Sequence, residues 1–307
     1  MSSDVVVVTS RSFGSGDADP AGELRAAGLD VVKGDPGHEA LPLEGAVGWI
    51  AGVGPITAAH LEAAPRLKVI ARFGTGVDAV DLRAAADRDV VVARTPGANA
   101  ESVADHAVAL MLAALRDLVA ADAAARRGDH DARRGRELGA LTVGIVGLGA
   151  VGRGVARRVG AGFGARVVAH DPFASSPDVP LARLDEVAGE ADVLTLHLPG
   201  GEAPLVDAPF LAAMKPGAVL INTARASLLD EHAVAEALRG GRLAAAAVDV
   251  HGDDSPLLSA PNVTVTPHIA AQTTQSIDRM GTQAAAEVLR VLRGDRPLNP
   301  VHPQESV

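Results

Sequence analysis

Residues 141–172 read LTVGIVGLGAVGRGVARRVGAGFGARVVAHDP, and this stretch decides the fold. An apolar β-type run, LTVGIV, leads directly into GLGAVG at 147–152, which fits the pattern G-x-G-x-x-G. A helical stretch follows, and then a second apolar run, ARVVAH, that ends at Asp171. Alone the glycine pattern is weak evidence; strand before, helix after and an acid at the next strand end make it a dinucleotide fingerprint. Gly147 permits the tight turn, Gly149 lets the backbone approach a pyrophosphate, and Gly152 lets helix and strand pack closely. Ala150 and Val151 open the helix, whose amide end attracts the phosphates. Asp171 stands where an acid can hydrogen-bond a ribose 2′-hydroxyl, and its charge repels a 2′-phosphate, so NAD is expected rather than NADP. In the competing reading the glycines serve only close packing and Asp171 only forms a turn before Pro172.

Outward from this unit the same rhythm recurs. VVVVTS (5–10), AVGWIAG (46–52), LKVIARFG (67–74) and VVVARTPG (90–97) are short apolar strands separated by helical stretches, as are VLTLHL, AVLINTA, LAAAAVDV and NVTVTPH further on. Short apolar strands alternating with helices imply parallel sheets covered on both faces. The reading is therefore α/β, with two doubly wound, Rossmann-like parallel sheets in succession. Between them, ESVADHAVALMLAALRDLVAADAAARR (101–127) carries Val103, Ala107, Val108, Leu110, Met111, Ala114, Leu115, Leu118 and Val119 at helical spacing, which predicts one long helix. A polar, Arg-rich loop, RRGDHDARRGRELG, follows it; a last helix over about 275–293 precedes the Pro-rich RPLNPVHP.

With 307 residues, 48% of them apolar, the chain is long enough for two ordinary domains. The formal charge of −10 opposes a general nucleic-acid or anionic-membrane binder. No cysteine is present, which excludes disulfides, thiolate catalysis and Cys-ligated metal sites; no metal is expected. MSSDVVVVTS has no basic n-region and no apolar run approaches a membrane span, so a cytoplasmic location is expected.

The motifs in order resemble the D-isomer-specific 2-hydroxyacid dehydrogenases, and within them the phosphoglycerate dehydrogenase branch. The resemblance rests on LKVIARFGTGVDAVDL (67–82), TPGANAESVADHAVALML (95–112), GIVGLGAVGR, LHLPG (196–200), INTARASLLDEHAVAEALRGGRLAAAAVDV (221–250) and NVTVTPHIAAQT (262–273). It implies an NAD domain at 98–276 inserted into a substrate domain at 1–97 plus 277–307. It also implies hydride transfer between NAD and C2 of a small anionic D-2-hydroxy or 2-keto acid, by a homodimer. Alternatives within the resemblance are a phosphorylated or phosphonate-bearing acid, another anion such as phosphite, and an idle NAD-sensing corepressor. Because no residue follows Val307, a C-terminal regulatory domain is not expected.

The resemblance implies catalytic roles for three residues. Arg225 in NTARAS anchors the carboxylate, a task that suits a planar, permanently charged fork. His268 in TPHI exchanges the hydroxyl proton. An acid behind the histidine holds its tautomer, and the family spacing counted from Asp249 falls on Asp254, where the family has Glu; Asp253 is the rival. His197 and Pro199 line the nicotinamide side, Thr223 and Ala224 lie beside Arg225, and Asp249 meets the nicotinamide amide. Asn99, Ser102 and Val103 are further cofactor neighbours. On the substrate side, Gly74, Thr75 and Gly76 can present backbone N–H groups to a carboxylate in a nest. Arg72 and Arg94 can hold a second anionic group. The chain departs from the family at His251, Ala226 and Arg94, and in an Arg-rich loop without the usual tryptophan.

Overall fold

In the computed structural model, which describes residues 4–35, 37, 41–131, 133–176 and 178–303, the run VVVV forms strand β1, Val5–Val8. Val6 and Val8 are buried on one face and Val7 on the other, as the two-residue period of a strand requires. The chain continues through α1 (Pro20–Ala26), β2 (Asp30–Lys33), β3 (Ala46–Ala51), α2 (Ala58–Glu62), β4 (Val69–Arg72), α3 (Leu82–Ala86) and β5 (Val91–Ala93). These strands make one all-parallel sheet in the order β2-β1-β3-β4-β5. The one tryptophan, Trp49, is fully buried and its indole N–H donates to Thr9 Oγ1 at 3.0 Å, so its single polar atom is satisfied.

Helix α4 (Ala100–Leu115) and helix α5 (Leu118–Arg126) come next. The expected single helix is therefore broken. Asp117 sits at φ +49, a left-handed conformation that aspartate tolerates better than most residues. The loop returning from α5 completes the break: Arg136 N–H donates to Leu115 O at 3.0 Å, and Arg133 pairs with Asp117. Leu118 and Val119, expected on the buried stripe, are 59% and 55% exposed. Apolar spacing could not reveal the break because it runs straight through it.

The second sheet is built from β6 (Thr142–Val146), β7 (Arg166–His170), β8 (Val193–Leu196), β9 (Ala218–Asn222), β10 (Leu243–Val248) and β11 (Val263–Val265), all parallel, in the order β11-β10-β9-β8-β6-β7. Between its strands lie α6 (Ala150–Arg157), α7 (Leu184–Glu190), α8 (Ala208–Ala213) and α9 (Glu231–Arg239). Leu220 and Ile221 are adjacent, fully buried and on opposite faces, each contributing roughly 1.5–3 kcal/mol of burial. α4 is seated on α6 by a small-residue contact, since a Cβ on Gly154 would lie 3.0 Å from that of Ala104. Arg158, the residue that ends α6 as its C-cap, adds a fork to Glu101 and Asp105, both on α4.

The last helix, α10 (Thr274–Leu292), covers β3 and β4 with Ala284, Ala285 and Val288. The Pro-rich tail is part of the first sheet's edge. Glu287, 2% exposed, accepts from the backbone N–H groups of Leu298 and Asn299, and Val301 N–H donates to Val92 O at 2.8 Å. The chain divides into two units by internal contact, Met1–Asn99 with Ala271–Val307, and Ala100–Ala270. Among the described residues no helix is long and apolar enough to cross a membrane.

Candidate active site

In the second unit, strand order reverses beside β6, where β7 lies on one side and β8 on the other. A parallel sheet opens a crevice at such a point, beyond the strands' carboxyl ends. Gly147 follows β6 with φ +92, and a Cβ there would lie 2.4 Å from His197 O, so the turn requires glycine. At Gly152 a Cβ would lie 2.0 Å from Gly147 O, which holds α6 tight against the turn. Gly149 differs: a Cβ there meets nothing within 4 Å, and this residue caps α6 without any side-chain hydrogen bond. The amide end of α6, with Ala150 and Val151 as its first residues, therefore faces open space.

Asp171, beyond β7, accepts from Leu148 N–H at 2.8 Å and from Phe173 and Ala174 N–H at 2.9 and 3.1 Å. Partial burial would raise its pKa, but these three backbone donors outweigh that and hold it below the ordinary carboxylate value. It is charged, it braces the glycine loop, and a carboxylate's lone pairs leave room for one further donor such as a ribose hydroxyl.

Two buried polar atoms without a partner, His197 Nδ1 and Thr223 Oγ1, lie beyond the neighbouring strands β8 and β9. Desolvation pushes the His197 pKa down to about 3, so its ring is neutral; Nε2 is 2.9 Å from Thr195 Oγ1. With the open amide end of α6, these orphaned atoms make a donor and acceptor set that fits a dinucleotide. Pro199 is exposed, and Gly200 beside it is held close to the next turn, where a Cβ would lie 2.6 Å from Ser227 Oγ and 3.5 Å from Arg225 Cγ.

Arg225 follows β9 on a turn latched by Asn222, which is fully buried. Its amide donates to Arg225 O at 2.8 Å and its carbonyl accepts from Ala224 N–H at 3.0 Å. Arg225 also donates to Ala224 O at 2.8 Å. Sequence reasoning passed over Asn222; a polar residue ending the buried strand AVLIN was the available signal.

His268 follows β11, exposed, at φ +55. A non-glycine residue pays about 1–2 kcal/mol for that conformation and keeps it only where its surroundings impose it. Asp249 imposes it. Its carboxylate, 1% exposed as a residue, accepts from Thr266 Oγ1 at 2.6 Å, Ile269 N–H at 2.9 Å and Ala270 N–H at 2.8 Å. Its backbone carbonyl takes His268 N–H at 2.9 Å. Burial would raise the Asp249 pKa, yet hydrogen bonds from His106, Thr266 and the two amides hold it below the ordinary value.

The aspartate expected at the cofactor amide thus has both carboxylate oxygens engaged by the histidine segment. Asp253 and Asp254, the acids expected behind His268, are both exposed on the turn that follows β10, with no hydrogen bond among the described residues. Ser102, read as a cofactor neighbour, is buried and donates to Ala270 O at 2.7 Å. His106, to which no role was assigned, lies with Nε2 3.1 Å from Thr266 Oγ1.

The first unit's sheet carries its own candidates. Arg72 is 6% exposed and donates to Gly76 O at 2.9 Å and Ala51 O at 2.8 Å. Its guanidinium braces the loop with two of its five N–H donors. Gly74, at φ +146, donates its N–H to Thr95 Oγ1 at 3.0 Å, so of the expected nest only the Thr75 and Gly76 N–H groups remain to face an anion. Arg94, half-buried, directly follows β5. Among the described residues no cluster of three or more His, Asp or Glu is arranged to hold a metal.

Residues 108–270 match the family model described as D-isomer specific 2-hydroxyacid dehydrogenase, NAD binding domain. D-3-phosphoglycerate dehydrogenase of Mycobacterium tuberculosis is 44% identical over 255 residues, 78% of this chain and 48% of that protein. This chain therefore spans about half the length of the phosphoglycerate dehydrogenases it matches, 48% of the mycobacterial protein. Hydroxypyruvate reductase of Thermotoga maritima is 36% identical over 250 residues, 77% of this chain and 81% of that protein. Among solved structures, the TT0316 protein of Thermus thermophilus superposes with a TM-score of 0.86 at 39% identity, covering 97% of this chain and 99% of that one.

Proposed function

Because the chain belongs to the D-isomer specific 2-hydroxyacid dehydrogenase family, we propose that it is an NAD-dependent oxidoreductase interconverting a small D-2-hydroxy acid and its 2-keto acid. The observation that carries this reading is the histidine held outward in a strained conformation at the carboxyl end of the sheet whose first turn is the open glycine loop. NAD bound at that loop supplies the nicotinamide carbon that accepts or donates hydride. Arg225 binds the substrate carboxylate as a planar fork and polarises the C2 oxygen. His268 takes the C2 hydroxyl proton in oxidation and returns it in reduction. Gly147, Gly149, Ala150, Val151 and Gly152 hold the pyrophosphate, Asp171 the ribose, and His197, Pro199, Thr223, Ala224 and Asp249 border the nicotinamide. On the loop that Gly74 shapes, Thr75 and Gly76 offer their backbone N–H groups to a carboxylate.

Arg94, with the remaining donors of Arg72, is the cation that meets the phosphate of a phosphorylated or phosphonate-bearing acid. The division of labour in this reading is between a substrate domain at 1–97 plus 277–307 and an NAD domain at 98–276. The protein acts in the cytoplasm as a homodimer, which the exposed Leu118 and Val119 of α5 suit, and sedimentation velocity at micromolar concentration tests the dimer.

The deciding experiment is NADH oxidation against plain, phosphorylated and phosphonate 2-keto acids, with NAD reduction by phosphite as a further arm. Turnover of one 2-keto acid class, abolished in Arg225→Ala, is the expected result. NADH binding with no turnover in any arm would leave a dinucleotide-sensing protein instead.

A further inference from the structure

His106 and Ser102 stand one turn apart on α4, on the same face. They meet the His268 segment on either side of the histidine. Ser102 Oγ donates to Ala270 O at 2.7 Å, and His106 Nε2 lies 3.1 Å from Thr266 Oγ1 and 3.5 Å from Asp249 Oδ1. The donor order follows from proton counting. Thr266 has one hydroxyl proton and gives it to Asp249 at 2.6 Å, so its oxygen accepts from the ring. His106 therefore carries a proton on Nε2, and the chain runs from His106 Nε2–H to Thr266 Oγ1–H to the Asp249 carboxylate.

That carboxylate fixes the amides of Ile269 and Ala270, the two residues immediately after His268. α4 is itself anchored, by the close approach of Ala104 to Gly154 and by Arg158 bridging Glu101 and Asp105. The ring at position 106 thus connects an anchored helix to the segment that presents the histidine, and it is not among the residues proposed to meet substrate or cofactor.

We infer that His106 is a positioning residue for His268: by donating from Nε2 into Thr266 and Asp249 it orients the carboxylate that holds His268 in its left-handed conformation. This rests on the reading of His268 as the proton-transfer group. A side chain that keeps an N–H donor at the Nε2 position preserves the function, and an apolar side chain of similar size loses it. Because the effect reaches the reaction through the placement of a proton-transfer group, it falls on kcat, and dinucleotide affinity is unaffected.

The test compares His106→Leu, His106→Gln and Thr266→Val with the unaltered protein. Steady-state kinetics use the keto acid found active in the panel, NADH affinity is read by fluorescence titration, and hydrogen exchange is followed at Ile269 and Ala270. His106→Leu and Thr266→Val are expected to lower kcat about 10- to 100-fold, with the NADH dissociation constant unchanged. Exchange at the two amides is expected to quicken at least about 10-fold. His106→Gln restores kcat and protection to within about 3-fold, since its amide supplies the same donor.

Equal impairment in the Leu and Gln variants, or a wild-type kcat in His106→Leu, would overturn the inference. Should His106→Leu fail to fold, Thr266→Val, which breaks the same chain by removing one hydroxyl, carries the test. His268→Asn separates the two claims. If that variant stays active, the proton-transfer reading falls, while the exchange result at Ile269 and Ala270 still decides whether His106 holds the segment.

Discussion

The two sheets begin alike, a strand, a turn and a helix, and their first helices end in opposite states. In the first unit α1 is capped by Asp19, whose carboxylate takes Gly22 N–H at 2.8 Å, so the helix supplies its own anion. In the second unit α6 is capped by Gly149, which has no side chain to give, and its amide end is left for a ligand. The positive end of the helix dipole exists in both. One residue at the cap decides whether it is satisfied internally or kept for a phosphate, which is why a doubly wound sheet alone does not make a dinucleotide site.

The widest gap between the two sheets is chemical. His268→Ala is expected to lower kcat by about 1,000-fold, measured as NADH oxidation, because a general acid-base group contributes about 10²- to 10⁴-fold. Arg94→Ala, at the carboxyl end of the first sheet, is expected to raise KM for phosphorylated substrates about 10-fold and to leave kcat nearly unchanged.

Installing the first unit's cap in the second breaks the comparison directly. Gly149→Asp has room for its side chain, since a Cβ there meets nothing within 4 Å. It is expected to weaken NADH binding about 100-fold in a fluorescence titration while adding about 1 kcal/mol of stability, because the new carboxylate occupies the place of the pyrophosphate. Weakened binding together with lost stability would mean that the turn was distorted rather than filled.

A third difference is carried by pH. His197, neutral with its pKa pushed down to about 3, is a base that protonates more readily unfolded, near 6.5, than folded. Between those values the unfolded state binds the extra proton, so stability is full above about pH 6.5 and is lost as pH falls toward 3. By pH 5 this amounts to about 1–2 kcal/mol, read from urea unfolding at about pH 7 and about pH 5. The increment should vanish in His197→Asn. The smallest effect is Asp19→Ala, expected to cost about 1 kcal/mol in urea unfolding and to leave NADH affinity untouched.

Much of this is legible in the amino-acid sequence. GLGAVG between two apolar strands states its own geometry, because each glycine answers a separate steric demand, and the structure meets two of them with contacts that no side chain could occupy. The strands were legible for a similar reason, as short apolar runs between helical stretches. What escaped was contact between distant segments. The bonds that engage the Asp249 carboxylate are hidden in the sequence because its partners at Thr266, Ile269 and Ala270 lie well downstream. Nothing in RFGTGVD reveals that the Arg72 guanidinium turns back to Ala51 O and Gly76 O. His106 carried no signal within its helix, and the break at Asp117 is made by a loop whose own spacing looks featureless.

The seam formed by α10 and the tail bears on how the chain comes off the ribosome. The second unit is one unbroken stretch, Ala100–Ala270, and can close its core as soon as that stretch has emerged. The first unit is drawn from both ends. Val6, Val8, Ile50, Val69 and Ala71 are packed beneath Ala284, Ala285 and Val288, residues synthesised after the whole of the second unit. Until then this sheet waits with an apolar face uncovered, while the middle of the sequence folds ahead of it. The order of completion is thus the reverse of the order in which the two units start, and the period of greatest exposure to aggregation belongs to the N-terminal sheet.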